Sequence, residues 1–375
     1  MKVPFYRHNL DQECIDRVSR VLKGDMLTTG AVCSEFEGEF ANYFGPEYSA
    51  VTFSSWTTGA FCTLVAWEIG PGDEVIVPSM SFLSTANIVE HVGAKPVFVD
   101  CDLRTGLIST DAVLEAITSK TRAIIPVHLY GQMCDMKTLS KIAKVRGIKL
   151  LEDCAHCIEG AREDYRPGLL SDAAVFSFYA TKNITSCEGG AVITRNAETS
   201  GILAKLRLHG MDKSAISRYI EGYKHWDMDL LGYKANLSDL NAALLQPQLR
   251  RLGERLERRQ QICAFYEDIF GQFEIGFPIT EQQVEHARHL FTILVLPSKR
   301  DSLIQKLQEA DIGVAVNFKP IHSMTYYRKK YGYRPDALKN TELIGSSTIS
   351  IPMYPALEDS QVEYVASTVC RLVRG

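Results

Sequence analysis

Near the start of the chain, apolar positions follow helical spacing. Leu10, Cys14, Ile15, Val18, Val21 and Leu22 mark one face of a helix over residues 8–24, which Gly24 ends. A polar turn, Leu27-Thr28-Thr29-Gly30, leads to a second amphipathic helix around Phe36, Phe40 and Tyr43. Val51-Thr52-Phe53 reads as a short strand, and Ser54 to Gly59 opens a helix that runs through Ile69. From residue 71 strands and helices alternate. Strands are predicted at 74–78, 96–100, 122–128 and 148–152, with helices at 84–91, 111–117 and up to Arg146 between them. That alternation predicts an α/β fold: a mainly parallel sheet with helices on both faces, whose ligands bind beyond the carboxyl ends of the strands. Asp153, the loop of Phe82 and the loop of Lys182 all fall at such ends.

The pattern is most informative over residues 175–194, VFSFYATKNITSCEGGAVIT. A strand (Val175, Phe176, Phe178, Tyr179) gives way to a small-polar loop, and a second strand resumes after Gly189-Gly190. Lys182 sits in that loop, held by scaffold on both sides. Farther on, residues 200–235 are polar and irregular. Helical periodicity returns at 237–252 and continues through the charged run 250–261, which reads as a long solvated helix bridging to a second subdomain. Residues 289–375 then predict strands at 290–295, 314–318 and 347–351, a helix at 302–310, a tyrosine-rich loop (Tyr326, Tyr327, Tyr331, Tyr333) and a last helix. The expected division is a large α/β domain over 1–249 and a small α+β domain over 250–375.

Composition changes this picture little. The 375 residues carry 46% hydrophobic and 23% charged side chains and a formal net charge of −4, so nothing favours nucleic acid or an anionic membrane as partner. No run approaches the roughly 18 apolar residues of a membrane span, and a cytoplasmic location is expected. Most of the ten cysteines are scattered. Cys154 and Cys157 form a C-x-x-C without a second pair, which suits small apolar fillers better than zinc or redox chemistry, and no metal site is expected.

The chemistry gathers around Lys182. A neutral lysine amine can condense with an aldehyde, the link by which pyridoxal phosphate is held. That cofactor also needs an acid to keep its ring nitrogen protonated, donors for its phosphate and a flat apolar group against its ring. Asp153 at a strand end suits the first need. The helix entry Ser55-Trp56-Thr57 with Ser177 suits the second, and Phe82 the third. Each also has a plain role, as turn residue, N-cap, strand hydroxyl or core.

Taken together, the segments Leu27-Thr28-Thr29-Gly30, 70–79 (GPGDEVIVPS), 125–131 (IPVHLYG), 152–156 (EDCAH), 176–190, 232–240 (GYKANLSDL) and 318–322 (FKPIH) resemble the sugar aminotransferases of the DegT/DnrJ/EryC1/StrS group. The resemblance covers almost the whole chain. It implies the fold type I architecture of pyridoxal-phosphate-dependent transferases, with a mainly parallel seven-stranded sheet. It implies Lys182 as the Schiff-base lysine, Asp153 beside the ring nitrogen, His156 near the ring hydroxyl and Phe82 stacked on the ring. Ser55, Trp56, Thr57 and Ser177 would hold the phosphate, with Asn236 reaching it from the neighbouring subunit of a homodimer. Thr28, Lys319 and His322 would contact the nucleotide-sugar. Trp56 departs from the glycine of many members. The implied reaction moves an amino group from an amino acid, L-glutamate, to a UDP- or dTDP-linked 4-keto sugar. Amination at C3 stays open. So do two other classes: an eliminating dehydratase or desulfurase that uses Cys187, and a cofactor-binding regulator without catalysis. Retention of Lys182 speaks against the dehydratases that carry histidine in its place.

Overall fold

The computed structural model describes residues 1–212, 225–334 and 336–374. In chain order the strands are β1 (Ser49–Phe53), β2 (Glu74–Pro78), β3 (Lys95–Val99), β4 (Thr121–Ile124), β5 (Lys149–Asp153) and β6 (Ala161–Arg162). They continue with β7 (Ala173–Ser177), β8 (Gly190–Thr194), β9 (Val284–Glu285), β10 (Phe291–Leu294) and β11 (Thr348–Ile351). Seven of them form one sheet in the order β1-β8-β7-β5-β4-β2-β3. From β7 across to β3 every pairing is parallel, and only β8 runs against its neighbours β7 and β1. This is the fold type I arrangement: a large, mostly parallel sheet clad by helices.

The strands form where the sequence is continuously apolar or β-branched, as a sheet covered on both faces requires. All five residues of β2, β7 and β8 are buried. One face packs on the helix Trp56–Ala66, the other on Ile142, Leu139 and their neighbours from the helix Met136–Arg146. Because β8 returns antiparallel beside β7, with Ser177 opposite Gly190, the connecting loop must lie at the carboxyl end of β7. Asp153 of β5 ends at that same edge, paired with Val175. The topology therefore delivers Lys182, Asp153 and Ser177 to one rim of the sheet.

Beyond the sheet, four expectations are corrected. The run 237–272 is two helices, Asp239–Arg250 and Leu252–Gln272, and it is not a solvated bridge. Arg255 and Arg259 sit in its buried stripe with Leu252, Leu256, Ile262 and Tyr266, because polar partners await them inside. Residues 314–318 are extended but make only a two-bond bridge, Ala315 to Ser350. The tyrosine-rich loop contains the helix Thr325–Tyr331, anchored by buried Tyr327 against Phe98 with ring centroids 5.2 Å apart. Within 200–235, the helix Ala197–Leu206 occupies the start, and residues 213–224 lie outside the described residues. A separate apolar core joins residues 262–370 around the antiparallel pair β10–β11, and buried Val3 belongs to it. Val3 is tied there by its N–H to Asp311 O (2.9 Å) and by its carbonyl from Gly313 N–H (2.8 Å).

Candidate active site

The loop between β7 and β8 is pinned at several points before it presents Lys182. Phe178 N–H bonds Gly189 O at 2.8 Å, Ser186 N–H bonds Phe178 O at 3.0 Å, and buried Ile184 plugs the loop into the core. Lys182 is half-buried and lines a cavity of about 480 Å³ together with Asp153, His156, Phe82 and Ser177. Burial lowers the Lys182 amine to about 8, against a smaller upward pull from the Asp153 carboxylate. Burial also lifts Asp153 to about 6, opposed by the Ala155 N–H at 3.0 Å, by Lys182 and His128, and by the Thr85 hydroxyl at 3.3 Å. Near neutral pH the site thus holds a carboxylate and an amine that both change protonation at little cost, as proton transfer demands.

At the far end of the cavity the helix Trp56–Ala66 begins. Ser55 caps it reciprocally with Thr58: the Thr58 N–H reaches Ser55 Oγ, and the Ser55 N–H reaches Thr58 Oγ1, both at 3.1 Å. The N–H groups of Trp56 and Thr57 lie in the first turn, where no intrahelical acceptor exists, at the positive end of the helix dipole. Gly190 makes the close approach possible: a Cβ there would stand 2.6 Å from Trp56 N. The Trp56 ring is buried in the core under the helix, and its indole Nε1 is a buried donor without a partner among the described residues. Ser177 Oγ lies opposite, accepting the Tyr179 N–H at 3.4 Å.

His156 forms a further wall. Its Nδ1 accepts the Tyr130 N–H at 3.2 Å, so the neutral ring carries its proton on Nε2 and presents a donor. Burial, then Lys182 and His289, hold its pKa well below the usual range and keep it neutral. Tyr130 adopts a left-handed backbone (φ 60°) in the turn that aims this N–H. His289 stacks on His156, with ring centroids 4.3 Å apart. Backbone bonds from His289 to Tyr130 O (2.9 Å) and from Ala287 to Gly131 O (2.8 Å) bring it there. Phe82 is 55% exposed, an aromatic face at the cavity mouth 6.0 Å from Phe318. Sequence reading missed His289, Phe318 and Thr85. No local period marks the two ring residues, and Thr85 looks like an ordinary helix residue.

Other predicted residues lie elsewhere. Asn236 and Thr28 meet each other, Nδ2 to Oγ1 at 2.9 Å, on the exposed surface, outside the cavity of their own chain. Lys319 is exposed beside the cavity residue Phe318. His322 is wholly buried and does not face the cavity. Its Nδ1 bonds Ser79 Oγ at 2.7 Å and its Nε2 lies 3.0 Å from Glu342, so it braces the loop behind Phe318. Cys187 is exposed and is not part of the cavity wall, and Cys154 and Cys157 are buried fillers with thiols pushed up by burial. His128, Glu152 and Cys154 bring possible metal ligands within 4.8 Å, but both nitrogens of His128 and both oxygens of Glu152 are already hydrogen-bonded.

Pyridoxal phosphate fits this arrangement. The orphan helix N–H groups suit its phosphate, the neighbouring amine its aldehyde, Asp153 its ring nitrogen and the His156 donor its ring oxygen. Comparisons with known proteins agree. The chain is 37% identical to the spore coat polysaccharide biosynthesis protein SpsC of Bacillus subtilis, over 100% of this chain and 97% of SpsC. Its structure superposes on the putative sugar aminotransferase Spr1654 of Streptococcus pneumoniae, in its PMP form, with TM-score 0.94 and 30% identity, covering 100% and 99% of the two chains. It also superposes on Helicobacter pylori PseC, an aminotransferase of pseudoaminic acid biosynthesis, with TM-score 0.92 and 26% identity over 100% of both chains. Residues 8–370 match the DegT/DnrJ/EryC1/StrS aminotransferase family, so this chain belongs to that family and is a pyridoxal-phosphate-dependent sugar aminotransferase.

Proposed function

We propose that this enzyme moves the amino group of L-glutamate onto a nucleotide-linked 4-keto-6-deoxyhexose carried by UDP or dTDP. The observation that carries the reaction type is the juxtaposition of Lys182 and Asp153 in one cavity, both with pKa values drawn toward neutrality. The names of SpsC and PseC support a sugar acceptor. The nucleotide and the C4 position rest on the resemblance of the segments around Lys182 and Asn236, with C3 amination as the second reading.

When bound, the cofactor supplies an electron sink that eases loss of the donor's α-proton. The Lys182 amine, neutral above about pH 8, takes that proton at Nζ and returns one to the adjoining carbon. Asp153 holds a proton on the ring nitrogen, and the Thr85 hydroxyl and Ala155 N–H orient its carboxyl. His156 donates from Nε2 to the ring oxygen. Ser55, Trp56, Thr57 and Ser177 hold the phosphate, and Phe82 covers the ring face. Lys319 contacts the nucleotide-sugar of its own chain's site, and Thr28, bonded to Asn236, contacts that of the other subunit.

The active unit is a homodimer, with Asn236 serving the phosphate of the other subunit. In support, Asn236 is half-buried and bonded to exposed Thr28, away from the cavity of its own chain. Incubating the enzyme with glutamate and a panel of nucleotide-linked keto-sugars, and reading amine formation by mass, tests the function. No aminated sugar from any 4-keto substrate would overturn it.

Mixing Lys182→Ala chains with Asn236→Ala chains tests the shared site. If Asn236 acts in trans, each heterodimer has one intact site and activity returns. If it serves its own chain, none does.

A further inference from the structure

Behind Lys182 a second, narrower recess opens, sharing Phe5, Thr181, Lys182, His289 and Leu290 with the main cavity. Its free space is about 40 Å³, against about 480 Å³ in the main cavity, so it is much the tighter of the two. Three arginines line it, Arg7, Arg255 and Arg259, and no carboxylate is among its described walls.

The two inner arginines differ in a way that matters. Arg255 spends its donors on the protein, Nη1 to Gln248 Oε1 at 3.1 Å and Nη2 to Asn9 O at 2.7 Å. Arg259 is 2% exposed and gives Nη2 to Glu159, while its Nε and Nη1 are buried with no partner. Buried guanidinium N–H groups without acceptors are costly unless an acceptor reaches them. Glu159 is fixed in turn by Asn183 Nδ2 at 2.7 Å, and Asn183 Oδ1 faces His289 Nδ1 at 2.9 Å. Arg259 is thus held in register with the His289 wall of the main cavity.

We propose that this recess binds a carboxylate of the amino donor, with an unpartnered N–H of Arg259, from Nε or Nη1, as its donor and Arg255 and Arg7 supplying the positive field. The inference rests on the aminotransferase reading above and extends it. Amino-acid donors share a carboxylate next to the reacting amine, its charge suits a buried guanidinium with N–H groups to spare, and a donor reacting beside Lys182 is already at the recess mouth. A dicarboxylic donor gains most, because one carboxylate can enter while the other stays in the wider cavity.

Glutarate, a dicarboxylate without an amine, is the probe. Calorimetry should show it binding the holoenzyme, and kinetics should show competition with glutamate and not with the keto-sugar. Arg259→Gln alone would strand Glu159, so the test uses Arg259→Gln with Glu159→Gln, which removes both buried charges together. Glutarate affinity should fall about tenfold or more. The KM for glutamate should rise in parallel while the KM for the keto-sugar stays put. Arg7→Gln, at the exposed rim, should weaken glutarate by a smaller factor. A holoenzyme that ignores glutarate, or a double variant that binds it as well as the parent, overturns the recess and shows Arg259 to be satisfied by water. Failure of the parent enzyme to aminate any sugar is a separate result, which removes the aminotransferase reading instead.

Discussion

Glu152 and Asp153 are consecutive buried residues at the end of β5, and their side chains leave opposite faces of the strand. Glu152 is saturated: Oε2 pairs with His128 Nε2 at 2.7 Å, and Oε1 accepts the Gly168 N–H at 2.9 Å and the Ser171 hydroxyl. The His128 ring is completed by the Cys134 N–H on Nδ1 at 3.1 Å. Asp153 has one good donor and one long one, and burial pushes its pKa up to about 6. A fully partnered buried carboxylate locks the fold, whereas an under-partnered one on a cavity wall is poised for a ligand. The same contrast separates Arg255 from Arg259 on the helix Leu252–Gln272.

The largest effect belongs to the under-partnered side. Lys182→Ala should cut turnover by about 10⁴-fold or more, because both the covalent anchor and the proton carrier disappear. The visible absorbance of the lysine-bound cofactor should vanish and borohydride should trap no adduct. The melting temperature of the cofactor-free chain should not fall, since a partly desolvated amine is removed. A trappable lysine adduct in this variant would place the anchor elsewhere.

Next comes a pair that sets the neighbours against each other. Glu152→Ala strands His128, Gly168 N–H and Ser171, and should cost about 3–5 kcal/mol of stability in denaturant melts. Activity per folded molecule should be kept. Asp153→Asn should do the reverse. The fold should hold, and turnover should fall by about two orders of magnitude, roughly 2.7 kcal/mol of barrier, because an amide cannot hold a proton on the ring nitrogen by charge. Exchanged outcomes would mean that the saturated carboxylate is the working one.

Sequence reading saw one side of this contrast better than the other. Lys182, Asp153 and Ser177 were legible because strand ends can be read from apolar runs, and a mostly parallel sheet sends those ends to one rim. The mostly parallel sheet itself followed from the alternation of strands and helices after residue 71. His289 was not legible: it lies outside regular structure and arrives only through backbone bonds to the turn at Tyr130 and Gly131. Arg255 and Arg259 were misread as solvated because charge usually means surface. Yet they fall in the stripe of Leu252, Leu256, Ile262 and Tyr266, and that spacing was the available signal. His322 shows the opposite limit, since its identity matched a motif while its direction depended on Ser79, far off in sequence.

The smallest effect tests how little support Asp153 has. Thr85 Oγ1 stands 3.3 Å from Asp153 Oδ2 and 2.8 Å from Ser81 Oγ, and its donation to the carboxylate lowers the Asp153 pKa. Thr85→Val keeps the shape and removes the hydroxyl, so the pKa of Asp153 should rise further. A neutral-to-charged hydrogen bond of this length contributes about 0.5–1.5 kcal/mol, or about two- to tenfold in the ionised fraction. Because ionised Asp153 is the working form, the acid limb of the kcat/KM profile should move to higher pH by up to about one unit. Activity lost near neutral pH should return as the pH is raised, and Thr85→Ser should restore the parent profile. A loss in Thr85→Val that is equal at every pH would assign Thr85 to packing against Asp153. A profile superimposable on the parent would show that the Ala155 N–H supports the carboxylate alone.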